Sequence, residues 1–217
     1  MQTSDNLARV LDRGLVAILR SSSSEQLASV ARALFEGGID VIEVTLTVPR
    51  ALEIIAEVRR DLGSQVLLGA GSVLDAETAR AAILAGAECI VSPVVRHDVI
   101  QLCRRYGKVV MPGAFTPTEV LTAWEAGADV VKIFPAEVGG PAYLKALAAP
   151  LPQIRMMPTG GVNLDTIEAF FRAGACAVGL GSALVDQQAI RSGNMQSLRD
   201  LASQYVEAVS LIRGKSM

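Results

Sequence analysis

Lys132 lies in the run Asp129-Val130-Val131-Lys132-Ile133-Phe134-Pro135, with the pattern of a buried strand around it. Taking an ammonium ion out of water is costly, and the usual escape is to shed the proton. A neutral amine in an apolar pocket is a nucleophile able to form a Schiff base with a carbonyl. The bland reading is a lysine at a strand end whose stem snorkels to water. A second strand-like run, Val41-Ile42-Glu43-Val44, buries a carboxylate in the same way. One amine and one carboxylate of this kind, brought together, are the parts of a carbonyl-cleaving or carbonyl-forming site with its own proton shuttle.

The elements that must position them repeat along the chain. Glu36-Gly37-Gly38-Ile39-Asp40-Val41-Ile42-Glu43-Val44 is echoed by LAGAECIVS at 84–92, EAGADVVKI at 125–133 and RAGACAVGL at 172–180. Each copy reads as a helix end, a stop glycine (Gly38, Gly86, Gly127, Gly174) and a short apolar strand. The steps between stop glycines are 48, 41 and 47 residues, which suits two strand–helix units apiece. Further strand-like runs fill the gaps at Leu15–Arg20, Val66–Gly71, Val109–Gly113 and Arg155–Gly160. Helical runs separate them, among them Glu25–Phe35, Ala51–Leu62 and Ala76–Leu84. Strands alternating with helices predict a parallel sheet, and eight such units predict an α/β (β/α)₈ TIM barrel.

The repeat also fixes a register, because successive side chains on a strand alternate between its faces. Counted from each stop glycine, Ile42, Ile90, Val131 and Val178 share a face with Val44, Ser92, Ile133 and Leu180, which should meet the helices. The opposite face carries Glu43, Val91, Lys132 and Gly179, then Thr45, Pro93, Phe134 and Gly181. Glu43 and Lys132 therefore belong to the barrel interior, where a loosely filled pair of opposite charges is a poor way to build stability.

Composition narrows the field. Net charge is −2 with no basic stripe, which argues against a nucleic-acid partner. The opening residues lack the apolar core of a signal peptide, and no run of apolar residues has the length of a membrane span, so a cytoplasmic protein without a membrane partner is expected. Cys89, Cys103 and Cys176 are odd in number and scattered, which fits reduced thiols. With His97 the only histidine and no Cys-x-x-Cys, no metal constellation is expected. A hydrophobic content of 51% is high enough that part of the surface should be covered by other subunits. Nothing divides the chain, so residues 1–217 are read as one domain with its site at the C-terminal mouth of the strands.

At that mouth the glycines point to an anion. Pro158-Thr159-Gly160-Gly161-Val162 follows the seventh strand and Gly179-Leu180-Gly181-Ser182 the eighth, the recurrent phosphate position of such barrels. Gly69-Ala70-Gly71-Ser72 ends the third strand, and its hydroxyl and N–H groups could hold a carboxylate. Arg20 ends the first strand and is suited to bidentate carboxylate recognition. Arg50 is read as solvated, and Asn163 as the cap of the next helix.

Taken together, Glu43-Val44-Thr45-Leu46-Thr47, Gly69–Val73, Ser92-Pro93, Met111-Pro112-Gly113, Thr116-Pro117-Thr118-Glu119, Lys132-Ile133-Phe134-Pro135-Ala136-Glu137, Pro158–Val162 and Gly181-Ser182 closely resemble the 2-keto-3-deoxy-6-phosphogluconate / 4-hydroxy-2-oxoglutarate aldolases. The resemblance runs from about Leu15 to Val185. It implies a class I, pyruvate-releasing aldolase that needs no metal or other cofactor, acts on a phosphorylated keto acid and assembles as a homotrimer. It implies that Lys132 forms the Schiff base and Glu43 shuttles protons. By the same resemblance Ser72 stands where the family usually has Thr, at the pyruvate carboxylate. Pro93 and Phe134 line the pocket, Gly160, Gly161 and Ser182 match the phosphate end, and Gly71, Thr159 and Gly181 are further substrate-binding positions. One departure stands out: some members carry Arg where this chain has Thr47, while phosphogalactonate aldolases of the group have a short polar residue there and an Arg like Arg20. The substrate alternatives are thus the phosphogluconate, the phosphogalactonate and 4-hydroxy-2-oxoglutarate. Rivals from other classes are a phosphosugar isomerase or epimerase using Glu43 as base, and a non-catalytic binding protein on the same scaffold.

Overall fold

The computed structural model describes residues 2–214. The chain opens with α1 (Gln2–Arg13), then β1 (Leu15–Leu19), α2 (Leu27–Glu36), β2 (Val41–Thr45), α3 (Ala51–Leu62), β3 (Leu67–Gly71), α4 (Ala76–Ala85) and β4 (Cys89–Val91). It continues through α5 (His97–Arg105), β5 (Val109–Met111), β6 (Gly113–Ala114), α6 (Pro117–Glu125), β7 (Val131–Ile133), α7 (Gly140–Ala148) and β8 (Met156–Pro158). The last elements are α8 (Ile167–Arg172), β9 (Val178–Leu180), α9 (Gln187–Ser192) and α10 (Met195–Ile212).

Local chemistry sets the helix boundaries. The four stop glycines all adopt the left-handed conformation, with φ of 96°, 115°, 100° and 102° in chain order, where a side chain would be strained. Asp75 caps α4 by accepting from the Thr78 N–H at 2.6 Å. Thr116 and Glu119 form a capping box at α6: the Thr116 hydroxyl accepts from the Glu119 N–H at 3.3 Å, and the Glu119 carboxylate accepts from the Thr116 N–H at 2.8 Å. Thr116-Pro117-Thr118-Glu119 is therefore explained as a helix start. Asn163 caps the turn ahead of α8, its side-chain oxygen accepting from the N–H groups of Asp165 and Thr166 at 2.9 and 3.0 Å.

All strand pairs are parallel. They form a curled six-stranded sheet of order β5-β4-β3-β2-β1-β9 and a three-stranded sheet of order β6-β7-β8. The expected uninterrupted eight-stranded ladder is thus divided in two. The fifth strand is broken between β5 and β6 at Pro112, which has no N–H to give a ladder. Across the other junction a single bridge pairs Thr159 with Gly179, and the Cys176 N–H donates to the Met156 carbonyl at 3.0 Å.

The register derived from the repeat holds. Ile42, Val44, Ile90, Val131, Ile133, Val178 and Leu180 pack with helix residues in one large apolar cluster. Val16, Val41, Leu67, Cys89, Val91, Val109, Met111, Val130, Met157 and Ala177 form a second cluster on the inner face. That inner cluster includes Val10 of α1, with Leu7 and Leu11 packed against it. Arg9 and Arg13 anchor α1, each donating to the buried Asp40 carboxylate at 3.0 Å. With α1 packed on the inner cluster, the polar inward positions near the strands' C-terminal ends are left for the site.

Candidate active site

Lys132 sits at the middle of β7, 5% exposed, with both flanking residues turned to the helices. Its ammonium nitrogen lies 5.2 Å from the centre of the Phe134 ring, within range of the ring's negative face. A cis peptide joins Phe134 to Pro135. Glu43, on β2, is 1% exposed, and neither of its carboxylate oxygens has a hydrogen-bond partner. The amine and the carboxylate are thus both interior and not hydrogen-bonded to each other, although each would seek such a partner on stability grounds alone.

Gly71 on β3 makes the room for Glu43. A methyl group on Gly71 would lie 2.7 Å from Glu43 Cγ and closer still to its carboxylate. Deeper on the same face, a methyl on Gly69 would lie 2.5 Å from Cys89 Sγ. Burial, with the Glu43 carboxylate as the next cause, pushes the Cys89 thiol well above its ordinary range.

A cavity of about 860 Å³ opens above Lys132. It brings together Arg20, Lys132, Phe134, Thr159, Gly160, Gly161, Gly181 and Ser182, eight of the residues singled out in the sequence. The Thr159 hydroxyl is buried without a partner, and Gly179 leaves space beside it. Gly160 and Gly161 have φ of 98° and 69°, so their loop turns on conformations that glycine alone adopts freely.

The other five expected residues do not line this cavity. Glu43 and Gly71 lie together as described. Thr47 is exposed beyond β2, its hydroxyl 3.0 Å from that of Thr45, which in turn lies 3.2 Å from the Leu19 carbonyl. Ser72 follows β3 with a φ of 59°, a left-handed conformation uncommon for serine. Pro93 follows β4, its carbonyl group packed against Gly113. Arg50 is paired with Glu53, as a solvated residue would be. Among the described residues no group of three His, Cys, Asp or Glu side chains is placed to hold a metal ion, and no helix is long and apolar enough to cross a membrane.

The sequence reading missed Gln187 and Arg191, which line the cavity from α9, and Glu137, which lies against the glycine loop. Their spacing of four puts the first two on one side of a helix, but nothing in the sequence says which way that side faces.

A curled parallel α/β scaffold, a buried lysine on an inner face and a glycine-walled cavity are the parts an enzyme of imine chemistry on a small carbonyl compound would use. The family model for KDPG and KHG aldolase matches residues 8–201, and the chain belongs to that aldolase family. It is 37% identical over 202 residues to the 2-dehydro-3-deoxy-phosphogluconate aldolase of Treponema pallidum, covering 91% of this chain and 94% of the relative. It is 36% identical over 196 residues to the 2-dehydro-3-deoxy-6-phosphogalactonate aldolase of Escherichia coli, covering 90% and 96%. Its fold matches, with a TM-score of 0.82 and 27% identity over 94% of this chain and 97% of the other, the crystal structure of KDPG aldolase from Legionella pneumophila with pyruvate captured at low pH as a covalent carbinolamine intermediate.

Proposed function

We propose that this chain is a class I aldolase that cleaves 2-keto-3-deoxy-6-phosphogluconate to pyruvate and glyceraldehyde 3-phosphate. The observation that carries the reading is Lys132, buried at the base of the cavity, with a second buried group, Glu43, whose carboxylate oxygens are unpartnered. The Lys132 amine, in its neutral form, adds to the C2 ketone, and a proton passes to the oxygen to give a carbinolamine. Loss of water leaves a protonated imine. A base then takes the C4 hydroxyl proton, the C3–C4 bond breaks, and its electron pair moves into an enamine while glyceraldehyde 3-phosphate departs. The enamine takes a proton at C3, and water hydrolyses the imine to release pyruvate and the amine. Glu43, relayed by water, serves as acid and base in turn.

The remaining roles are proposed from the family resemblance and, for the residues that line it, from the cavity. Ser72 and Gly71 hold the pyruvate carboxylate, with Pro93 and Phe134 as apolar walls. Thr159 offers its unpartnered hydroxyl to a substrate hydroxyl. Gly160, Gly161, Gly181 and Ser182 receive the phosphate, and Arg20 stands at the mouth as a second cation. The scaffold acts as one domain over 1–217, its two sheets completing a (β/α)₈ barrel across Pro112 and the Thr159–Gly179 bridge. The homotrimer and the cytoplasmic setting are proposed from the family resemblance, and exposed apolar residues such as Leu84 and Val138, each 70% accessible, are candidates for cover by another subunit.

A second reading is the C4 epimer, 2-keto-3-deoxy-6-phosphogalactonate, favoured by Thr47 and Arg20 and by the relative from Escherichia coli. The test is to compare kcat/KM for the two phosphorylated epimers, their unphosphorylated analogues and 4-hydroxy-2-oxoglutarate. The phosphorylated gluconate should be cleaved most efficiently. Gly161→Val, which blocks close approach to the loop, should erode that preference far more than Ser182→Ala. Equal efficiency with and without phosphate would overturn the substrate assignment.

A further inference from the structure

Two guanidinium groups stand at the cavity mouth: Arg20 after β1 and Arg191 on α9. Several exposed arginines elsewhere are ion-paired, Arg96 with Asp98, Arg172 with Glu168 and Arg50 with Glu53. Among the described residues no carboxylate pairs with Arg20 or Arg191.

The helix carrying Arg191 is held in place. Asp186 caps α9 by accepting from the N–H groups of Gln188 and Ala189 at 3.2 and 3.0 Å, and Ala189 and Ile190 are buried. Gln187 donates its side-chain N–H to the Arg20 carbonyl at 2.7 Å, tying α9 to the end of β1. Arg191 follows Gln187 by four residues, so the two project from one side of the helix, and both line the cavity.

Charge gives this placement a purpose. Apart from the Lys132 amine, the cavity wall contains two guanidinium groups, Arg20 and Arg191, and one carboxylate, Glu137. That carboxylate lies against the glycine loop: a methyl group on Gly160 would be 2.8 Å from Glu137 Oε2. A phosphate monoester seated on the loop carries close to two negative charges at neutral pH and meets Glu137 there. Backbone N–H groups and the Ser182 hydroxyl donate hydrogen bonds but bring no net charge to oppose it. A guanidinium does, in a geometry that matches phosphate oxygens two at a time.

We propose that Arg191 is a specificity-determining residue that grips the terminal phosphate monoester of the substrate, with Gln187 positioning the helix that carries it. The assignment rests on the phosphorylated-substrate reading and adds to it a residue outside the glycine loops. Arg191 is exposed and leaves the core untouched when replaced.

The experiment measures kcat/KM for the phosphorylated acid and its unphosphorylated analogue in wild type, Arg191→Gln, Arg191→Lys and Arg191→Glu. A charge-assisted hydrogen bond at a solvent-facing site predicts a fall of about tenfold in the phosphorylated-to-unphosphorylated ratio for Arg191→Gln, carried mainly by KM. Arg191→Glu should fall further, and Arg191→Lys should fall less than Arg191→Gln, because it keeps the charge but not the two-pronged contact. Inorganic phosphate should inhibit turnover of the unphosphorylated acid in wild type, and about tenfold more of it should be needed in Arg191→Gln. A wild-type preference that survives Arg191→Gln within about twofold, the level of a lost surface contact, overturns the role of Arg191 and leaves the phosphorylated-substrate reading standing. A wild type with no preference overturns both.

Discussion

Gly71→Ala perturbs the seat of Glu43 directly. The added methyl would lie 2.7 Å from Glu43 Cγ, against an ordinary contact of 3.4 Å or more, and would overlap the carboxylate more severely. Glu43 Cγ must therefore retreat by at least about 0.7 Å, and the carboxylate by more than about 1 Å. Misplacing a reacting group by about 1 Å costs on the order of 10²-fold in rate. The clash is with the free end of a side chain, so the destabilisation should stay near the low end of overpacking, about 1 kcal/mol. Gly69→Ala is the matched control: it adds the same methyl on the same strand and face, but 2.5 Å from Cys89 Sγ and 3.3 Å from the Cys89 carbonyl oxygen. It should lower the melting temperature more and the rate less. Pyruvate release, followed by coupled reduction, and thermal unfolding are measured on both variants. If Gly71→Ala turns over within a few-fold of wild type, or if both variants lose rate in proportion to stability, the seat of Glu43 is not a catalytic feature.

Glu43→Gln keeps size and polarity but removes the base, and should slow cleavage by roughly 10²–10⁴-fold while imine formation persists slowly; turnover near the wild-type rate would make Glu43 structural. The thiols predict an alkaline limb of stability. Burial pushes the Cys103 thiol up to about 12 and the Cys176 thiol to about 11, both above the range of an unfolded thiol, so the unfolded chain ionises first. Their contribution is complete below about pH 8.5 and is lost as pH rises through about 11 to 12, so the melting temperature should fall across that window and fall less in Cys103→Ala. A melting temperature flat over the same range would contradict the burial of these thiols.

Much of this was legible in the sequence because the repeat supplies a phase. Once Gly38, Gly86, Gly127 and Gly174 are aligned, the alternation of a strand sends Glu43 and Lys132 inward with no further assumption, and all eight expected strand runs are observed. The split of the fifth strand at Pro112 was also written in the chain, in a residue that cannot donate to a ladder. Less accessible were features that belong to no repeat. Helix α1 packs on the inner cluster through Val10, Leu7 and Leu11, and its anchor, Asp40, lies far along the chain from Arg9 and Arg13. Gln187 and Arg191 reach the cavity only because α9 turns back over the mouth, a tertiary placement that periodicity does not encode. The left-handed Ser72 is a third case, since nothing in its residue type marks a positive φ.

The central claim is that Lys132 carries the covalent intermediate, and reductive trapping tests it most directly. The chain has four lysines: Lys108 is paired with Glu88 at 2.8 Å, Lys145 lies in α7, and Lys215 falls outside the described residues. Among the described residues, only Lys132 of these is buried at the cavity. Incubation with pyruvate and borohydride, followed by peptide mass mapping, should place the reduced adduct on the Lys132 peptide, abolish activity in step with labelling, and give no adduct in Lys132→Ala. Failure to trap any adduct, or labelling that survives Lys132→Ala, would contradict the account.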